Sequence, residues 1–167
     1  MSSTFSKRIH KEIQLYKKEN FIFPNLIVQP SEDLHLWYFI IYDLKDTDYE
    51  NGIYLGKVTL PTNYPFKAPD FIFLTENGRF ELNRRICTSF TGFHQDTYSA
   101  SWNVVSLCSA LISFMTDNDK APESQGIGGI FCSKEKRQEI AIKSREIIKN
   151  NDIVKKYFSE YFQTLHI

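Results

Sequence analysis

The spacing of apolar side chains along the chain follows a helical period first and a strand period afterwards. Residues 6–19 place Ile9, Ile13 and Tyr16 at the i, i+4 and i+7 positions of an amphipathic helix. Lysine and arginine side chains occupy its opposite face. Pro24 then ends the helical pattern, because a proline disfavours α geometry in the residue before it.

Four short segments rich in aromatic and β-branched residues follow, which predicts strands. They cover residues 25–29, 36–42, 52–60 and 70–74, and stretches of turn-forming residues separate them. Consecutive strands with such short connections favour an antiparallel meander, because parallel neighbours need a crossover of a dozen or more residues.

Helical patterns return near the C-terminal half of the chain. Residues 103–116 are apolar nearly all round, which predicts a central buried helix. Ser133 is a suitable N-cap for a helix over residues 133–149. Asp152 is a suitable cap for a last helix over about residues 152–162.

The predicted order is one N-terminal helix, four strands, a long loop and about three helices. Runs of strands followed by runs of helices are typical of an α+β domain. At 167 residues we expect a single domain over 1–167, with its core over about residues 6–149.

Composition narrows the class of protein. A hydrophobic share of 42% supports a real core, and 20 basic residues balance 20 acidic ones, so nothing favours a nucleic-acid partner. Three cysteines without CxxC spacing disfavour a disulfide framework or a zinc site and fit a reducing compartment. We expect no signal peptide and no membrane segment, because the N-terminus lacks an apolar h-region and no apolar run is long enough to span a bilayer.

The polar stretch over residues 75–102 is about twice as long as the roughly 12–15 residues above which a loop usually carries function or is disordered. Apolar side chains within it indicate that it is anchored to the core. The predicted anchors are Phe80, Ile86, Phe90, Phe93, Tyr98 and Trp102.

Cys87 lies in the middle of this loop and is the candidate nucleophile. It follows Arg84 and Arg85, and nearby cations lower the pKa of a thiol. Cys108 lies in the apolar helix, where a thiol behaves as a small hydrophobe. Packing is also the better account of Cys132. A single loop cysteine is more often structural than catalytic, so both interpretations stay open at this point.

Asn77 and His94 flank the cysteine. The amide of Asn77 could donate to a developing oxyanion, or it could belong to an ordinary turn with Gly78. His94 could be a general base, a metal ligand or a structural loop residue, and the lack of a second histidine at ligand spacing disfavours a metal. A cysteine hydrolase would need a base and an orienting group that we cannot assign.

The series YPFKAPDFIF, TENGRF and RICTSFTGFHQDTYSASW resembles ubiquitin-conjugating enzymes over about residues 6–114. More narrowly, it resembles their tail-anchored branch at the endoplasmic reticulum. The resemblance implies the ubiquitin-conjugating (UBC) fold. It also implies that Cys87 accepts ubiquitin as a thioester from an activating enzyme and passes it to a substrate lysine with a RING-type ligase, without a metal or cofactor. The alternative is a non-catalytic module of this fold that binds ubiquitin or a ligase.

The resemblance also assigns roles to single residues. Asn77 falls on the asparagine of the family's His-Pro-Asn element, which orients the loop or stabilises the oxyanion. Because the branch is associated with transfer to hydroxyl groups, His94 becomes the candidate base for serine or threonine acceptors. The expected partner surfaces are an activating-enzyme face at Lys7, Arg8 and Lys11 and a ligase face at Phe66, Ser99 and Ala100.

Departures from the family pattern leave the ligase and the compartment open. Thr75 and Glu76 replace the His and Pro of the general family, while Gln95, Tyr98 and Ala100 differ from this branch. Because no hydrophobic tail ends the sequence, we expect a naturally soluble or a shortened protein. It would work in the cytoplasm or nucleus, or on the cytosolic face of the endoplasmic reticulum if a tail was removed.

Overall fold

The computed structural model describes residues 3–18, 23–86, 98–117 and 128–167. In chain order the elements are helix α1 (Ser3–Lys18), strands β1 (Leu26–Pro30), β2 (Leu36–Tyr42), β3 (Ile53–Thr59) and β4 (Asp70–Phe73), helices α2 (Val104–Thr116), α3 (Lys134–Asn150) and α4 (Asp152–Tyr157), a 3₁₀ turn (Ser159–Tyr161) and helix α5 (Phe162–Leu165). The predicted α+β class and its order of elements are confirmed.

The strands form an antiparallel meander in the order β1-β2-β3-β4, as predicted. Successive strand residues face opposite sides of a sheet. Along β2, Trp37 and Phe39 therefore enter one core cluster, while Ile40 enters a second cluster on the other side. Both faces of the sheet are covered, which explains why the segment is apolar at nearly every position.

The first face packs against α1 and α2. Phe5 and Ile9 of α1 and Leu107 of α2 are fully buried in this cluster. Asn103 and Ser106 form a capping box at the start of α2, since Asn103 Oδ1 accepts from Ser106 N–H at 2.8 Å and Ser106 Oγ accepts from Asn103 N–H at 3.1 Å. Among the helices described, none is both long and apolar enough to cross a membrane.

The C-terminal segment, residues 148–165, covers the second face. Its apolar side chains Ile148, Val154, Phe158 and Leu165 pack on Ile27, Ile40, Ile53 and Leu55 of the sheet. Polar contacts fasten its two ends. Lys156 Nζ lies 3.0 Å from Glu32 Oε1, and the Arg145 guanidinium donates to Leu165 O at 2.7 Å.

The prediction for the last helix is wrong in two respects. The segment is not one helix, because α4 ends at Tyr157 and Phe158 takes non-helical backbone angles (φ −128°, ψ 12°) while its ring enters the core. The cap is Asn151 and not Asp152, since Asn151 Oδ1 accepts from two backbone N–H groups, those of Ile153 at 2.9 Å and Val154 at 3.2 Å. The predicted Ser133 cap of α3 is confirmed, with Lys136 N–H donating to its hydroxyl at 3.2 Å.

Candidate active site

The chain leaves β4 through Thr75, whose hydroxyl continues the pairing with β3. Leu74 donates its backbone N–H to Leu55 O at 2.8 Å, and Leu55 donates its own N–H to Thr75 Oγ1 at 2.9 Å. Thr75 is buried. The segment that follows therefore starts from a fixed point on the sheet.

Asn77 is fully buried (0% exposed), and its side chain folds back on its own backbone. Its Oδ1 accepts from the N–H groups of Arg79 at 2.9 Å and Phe80 at 2.8 Å, while Nδ2 donates to Thr75 O at 3.4 Å. Gly78 completes the turn at φ +73°, in the region that favours glycine. Of the two roles open for Asn77, this geometry supports orientation of the loop.

Two buried arginines hold this turn against the helices. Arg137 of α3 donates through Nε to Gly78 O at 3.1 Å and through Nη1 to Asp48 Oδ2 at 3.1 Å. Arg79 donates through Nε to Phe114 O of α2 at 3.3 Å, and burial lowers its pKa from the ordinary value. The turn is therefore tied to both α2 and α3.

The chain then runs back along β4 as far as Ile86. The ring of Phe80 stacks on Phe73 with centroids 5.5 Å apart. Asn83 donates its N–H to Phe73 O at 2.9 Å, and Ile86 donates its N–H to Phe71 O at 3.0 Å. Ile86 is buried, so the backbone is anchored to the sheet up to the residue before the candidate nucleophile.

Cys87 and His94 lie outside the described residues, as do the predicted anchors Phe90 and Phe93. Of the other thiols, Cys108 is fully buried in α2, and burial raises its pKa above the ordinary value of 9.0. Its predicted place in the apolar helix is confirmed.

The predicted ligase face is exposed at Phe66, whose side chain is 67% exposed. Ser99 and Ala100 are half-buried. Trp102 was predicted to be a buried anchor and is 39% exposed, so that prediction is wrong. Its ring lies edge-on to Tyr98, with centroids 6.0 Å apart, and it borders the surface instead of entering the core.

The predicted activating-enzyme face on α1 divides into outward and inward side chains. Lys7 and Lys11 are exposed. Arg8 is half-buried and turns inward, where its guanidinium donates to Ala100 O at 2.9 Å and Trp102 O at 2.6 Å. Within the described residues, α1 is thus fastened to the segment that precedes α2.

The family model for ubiquitin-conjugating enzymes matches residues 8–146 of the chain. The chain belongs to the ubiquitin-conjugating enzyme family. It is 39% identical over 136 residues to ubiquitin-conjugating enzyme E2 32 of Arabidopsis thaliana, covering 81% of this chain and 41% of the relative. It is 38% identical over 119 residues to ubiquitin-conjugating enzyme E2 J1 of Homo sapiens, covering 71% and 36%. These two relatives are therefore much longer than the part that the chain matches.

A third relative has a similar length. Ubiquitin-conjugating enzyme E2 J2-like of Dictyostelium discoideum is 33% identical over 159 residues, which cover 95% of this chain and 87% of the relative. The family resemblance noted in the sequence is thereby confirmed, and the α+β architecture agrees with it.

Four residues that hold the candidate site and its neighbouring loops in place were not singled out from the sequence. They are Glu12, Tyr64, Arg79 and Arg137, all buried. Glu12 left a signal, because it lies on the apolar face of α1 between Ile9 and Tyr16, where an acidic side chain requires a buried partner. The two arginines left none, since their acceptors lie far away in sequence: Phe114 O for Arg79, and Gly78 O and the Asp48 carboxylate for Arg137.

Proposed function

We propose that this protein accepts ubiquitin as a thioester on Cys87 and transfers it to substrate amines. The Cys87 thiolate attacks the thioester carbonyl between ubiquitin and the activating enzyme, and the activating enzyme's thiolate leaves. A neutral substrate lysine amine then attacks the new thioester, the amide forms as the amine loses one proton to the solvent, and Cys87 is released as the thiolate. Covalent catalysis of this kind divides one difficult acyl transfer into two easier steps.

The observation that carries the proposal is the anchored backbone of residues 80–86, which ends directly before Cys87. The hydrogen bonds from Asn83 and Ile86 hold the backbone on β4 up to the residue before that cysteine. The buried Cys108 is unsuited to the role because its thiol has no access to a protein-sized substrate. Family membership supports the same chemistry.

The two arginines before Cys87 each pair with a carboxylate. Arg84 donates to both carboxylate oxygens of Glu81, at 2.7 and 2.8 Å. Arg85 forms an exposed ion pair with Asp70 at 3.3 Å. We infer that any effect of the two arginines on the Cys87 thiol acts together with these carboxylates.

The test is a single loading reaction with activating enzyme, ubiquitin and ATP, analysed on non-reducing gels. The wild type should give an adduct that a thiol reductant removes, and Cys87→Ser should give none or a reductant-stable ester. Cys132→Ser is the matched control and should load normally. If the wild type forms no adduct, the chain is a non-catalytic module that binds ubiquitin or a ligase.

The acceptor of the transfer is a second question. We propose lysine as the main acceptor and serine or threonine as further ones, with His94 as the base for the hydroxyl. A hydroxyl needs more base assistance than an amine near its pKa. His94→Ala should therefore slow discharge to free serine by about 10²-fold or more while changing discharge to free lysine by less than about threefold. Equal effects on both acceptors would contradict this role.

For the partners, we propose the activating enzyme on the α1 face with Lys7 and Lys11, and a RING-type ligase on Phe66, Ser99 and Ala100. The exposure of Phe66 and the two lysines supports these assignments. Because a reactive thiol must stay reduced, we infer that the protein works in the cytoplasm or nucleus.

A further inference from the structure

A buried carboxylate joins three separate segments of the chain. Glu12 of α1 is only 7% exposed, and its oxygens accept hydrogen bonds from three donors. These are Arg8 Nε at 2.5 Å, the Tyr64 hydroxyl at 2.7 Å and the backbone N–H of Val104 at 2.9 Å. One side chain therefore connects α1 to the loop between β3 and β4 and to the first residue of α2.

Arg8 extends the same connection. Its remaining nitrogens donate to Ala100 O at 2.9 Å and Trp102 O at 2.6 Å. Burial by itself would lower the pKa of Arg8, but the hydrogen bond and charge of Glu12 outweigh it and raise the pKa above the ordinary value. Arg8 thus stays charged, and its hydrogen bonds fix the segment that carries Trp102.

The Tyr64 hydroxyl fixes the third segment. Burial, followed by the negative charge of Glu12, raises its pKa, so the hydroxyl stays protonated and donates. Two residues later Phe66 is 67% exposed, and its N–H donates to Asn63 O at 2.9 Å in a tight turn. The position of the Phe66 ring therefore depends on where Tyr64 is held.

We propose that Glu12 is a positioning residue that holds the exposed aromatics Phe66 and Trp102 in one docking surface with the basic face of α1. The partner that fits this surface presents an apolar patch to the two rings and acidic side chains to Lys7 and Lys11. This inference rests on the proposed function and extends its activating-enzyme face from Lys7 and Lys11 to the two rings, so that the activating enzyme and the ligase use Phe66 in turn. Glu12 itself is buried and does not touch the partner.

The expected loss of affinity follows from the fraction of time that the free protein holds Phe66 and Trp102 in the docking surface. In Glu12→Gln an NH2 group replaces one of the two oxygens that accept from Tyr64 and Val104, so one of these donors loses its acceptor and the loops are held less firmly to α1. If the arrangement is then populated about a tenth of the time, the apparent affinity for the partner falls about tenfold. The chemistry at Cys87 should change little once the partner is bound.

The experiment measures the rate of ubiquitin loading against the concentration of this protein, with activating enzyme, ubiquitin and ATP held fixed. Glu12→Gln and Tyr64→Phe should raise KM by about tenfold and about threefold, with kcat within about twofold of the wild type. Glu32→Gln and Tyr157→Phe are the matched controls, because this pair has the same hydrogen bond on the opposite side of the sheet. Both controls should leave KM and kcat unchanged.

Hydrogen–deuterium exchange supplies a second readout that needs no partner. Glu12→Gln and Tyr64→Phe should both exchange faster at the amides of residues 63–68, and Glu12→Gln also at 99–104, with no change over β1 and β2. Uniformly faster exchange would mean general destabilisation and would overturn the proposal. So would a fall in kcat at unchanged KM.

Two further outcomes are separable. If the wild type forms no thioester, the proposed function is wrong, and the exchange pattern alone decides whether Glu12 positions the loops. If Glu12→Gln does not fold, Tyr64→Phe carries the test, because it removes one hydroxyl and keeps the ring. An unchanged KM in a folded Tyr64→Phe with unchanged exchange would overturn the inference.

Discussion

Asn77→Ala separates the two roles that this residue could play, because they predict different losses. The substitution leaves the backbone N–H groups of Arg79 and Phe80 buried without the acceptor they have at 2.9 and 2.8 Å. Each buried donor left unpaired costs about 1–3 kcal/mol. Because water can enter part of the vacated space, we expect the free energy of unfolding to fall by about 2–4 kcal/mol. The melting temperature should fall by roughly 5–15 °C.

The rate of ubiquitin discharge distinguishes an orienting residue from an oxyanion donor. If Asn77 orients the loop, discharge measured well below the melting temperature should slow by less than about tenfold. An oxyanion donor would instead be worth about 10²–10³ in rate. Urea unfolding followed by circular dichroism gives the stability, and single-turnover discharge to free lysine gives the rate.

Asn151→Ala is the matched control. The amide oxygen of Asn151 also accepts from two backbone N–H groups, but it lies at the start of α4 and away from the candidate site. It should lower stability by about 1–2 kcal/mol and leave discharge unchanged. The orienting role is refuted if Asn77→Ala retains its stability within about 0.5 kcal/mol and loses 10²-fold or more in rate.

Other substitutions test the packing around the site. Tyr98→Phe should leave the free energy of unfolding unchanged or raise it by up to about 1 kcal/mol, because the buried Tyr98 hydroxyl has no hydrogen-bond partner among the described residues. Tyr64→Phe loses a hydrogen bond to Glu12 and should lower the free energy of unfolding in the same urea titration. Cys108 should resist thiol reagents in the folded protein at pH 8 and react after unfolding. Its raised pKa also makes the folded state lose stability as the pH rises past 9.0, where the unfolded thiol ionises first. Phe158→Ala should cost about 3–5 kcal/mol by calorimetry, and a loss below about 1 kcal/mol would contradict its place in the second core cluster.

The strands and long helices were predictable because their signal is local. The apolar run at Leu36–Tyr42 coincides with β2, and α2 begins one residue after its predicted start because Asn103 is the cap. The last helix was not predictable, since Phe158 leaves helical geometry to reach a sheet that lies far away in sequence.

For the site, the order of motifs singled out Asn77 but could not choose between an oxyanion donor and a residue that orients the loop. That choice depends on which backbone groups its amide meets, and these follow from the fold. Glu12 shows the same limit more clearly, because it accepts from the backbone N–H of Val104, which lies 92 residues away in sequence. Trp102 was misassigned because aromatic character alone does not tell which side of a loop faces the solvent.

The C-terminal segment over the second face of the sheet affects where this chain can be truncated. The family match ends at residue 146, yet Val154, Phe158 and Leu165 lie beyond it and shield Ile27, Ile40 and Leu55. A fragment trimmed to the family boundary would expose a flat row of branched aliphatic side chains on a sheet, a surface prone to self-association. For expression and for fusion to other domains, we therefore expect a fragment that ends at residue 146 to be less stable than one that includes Leu165.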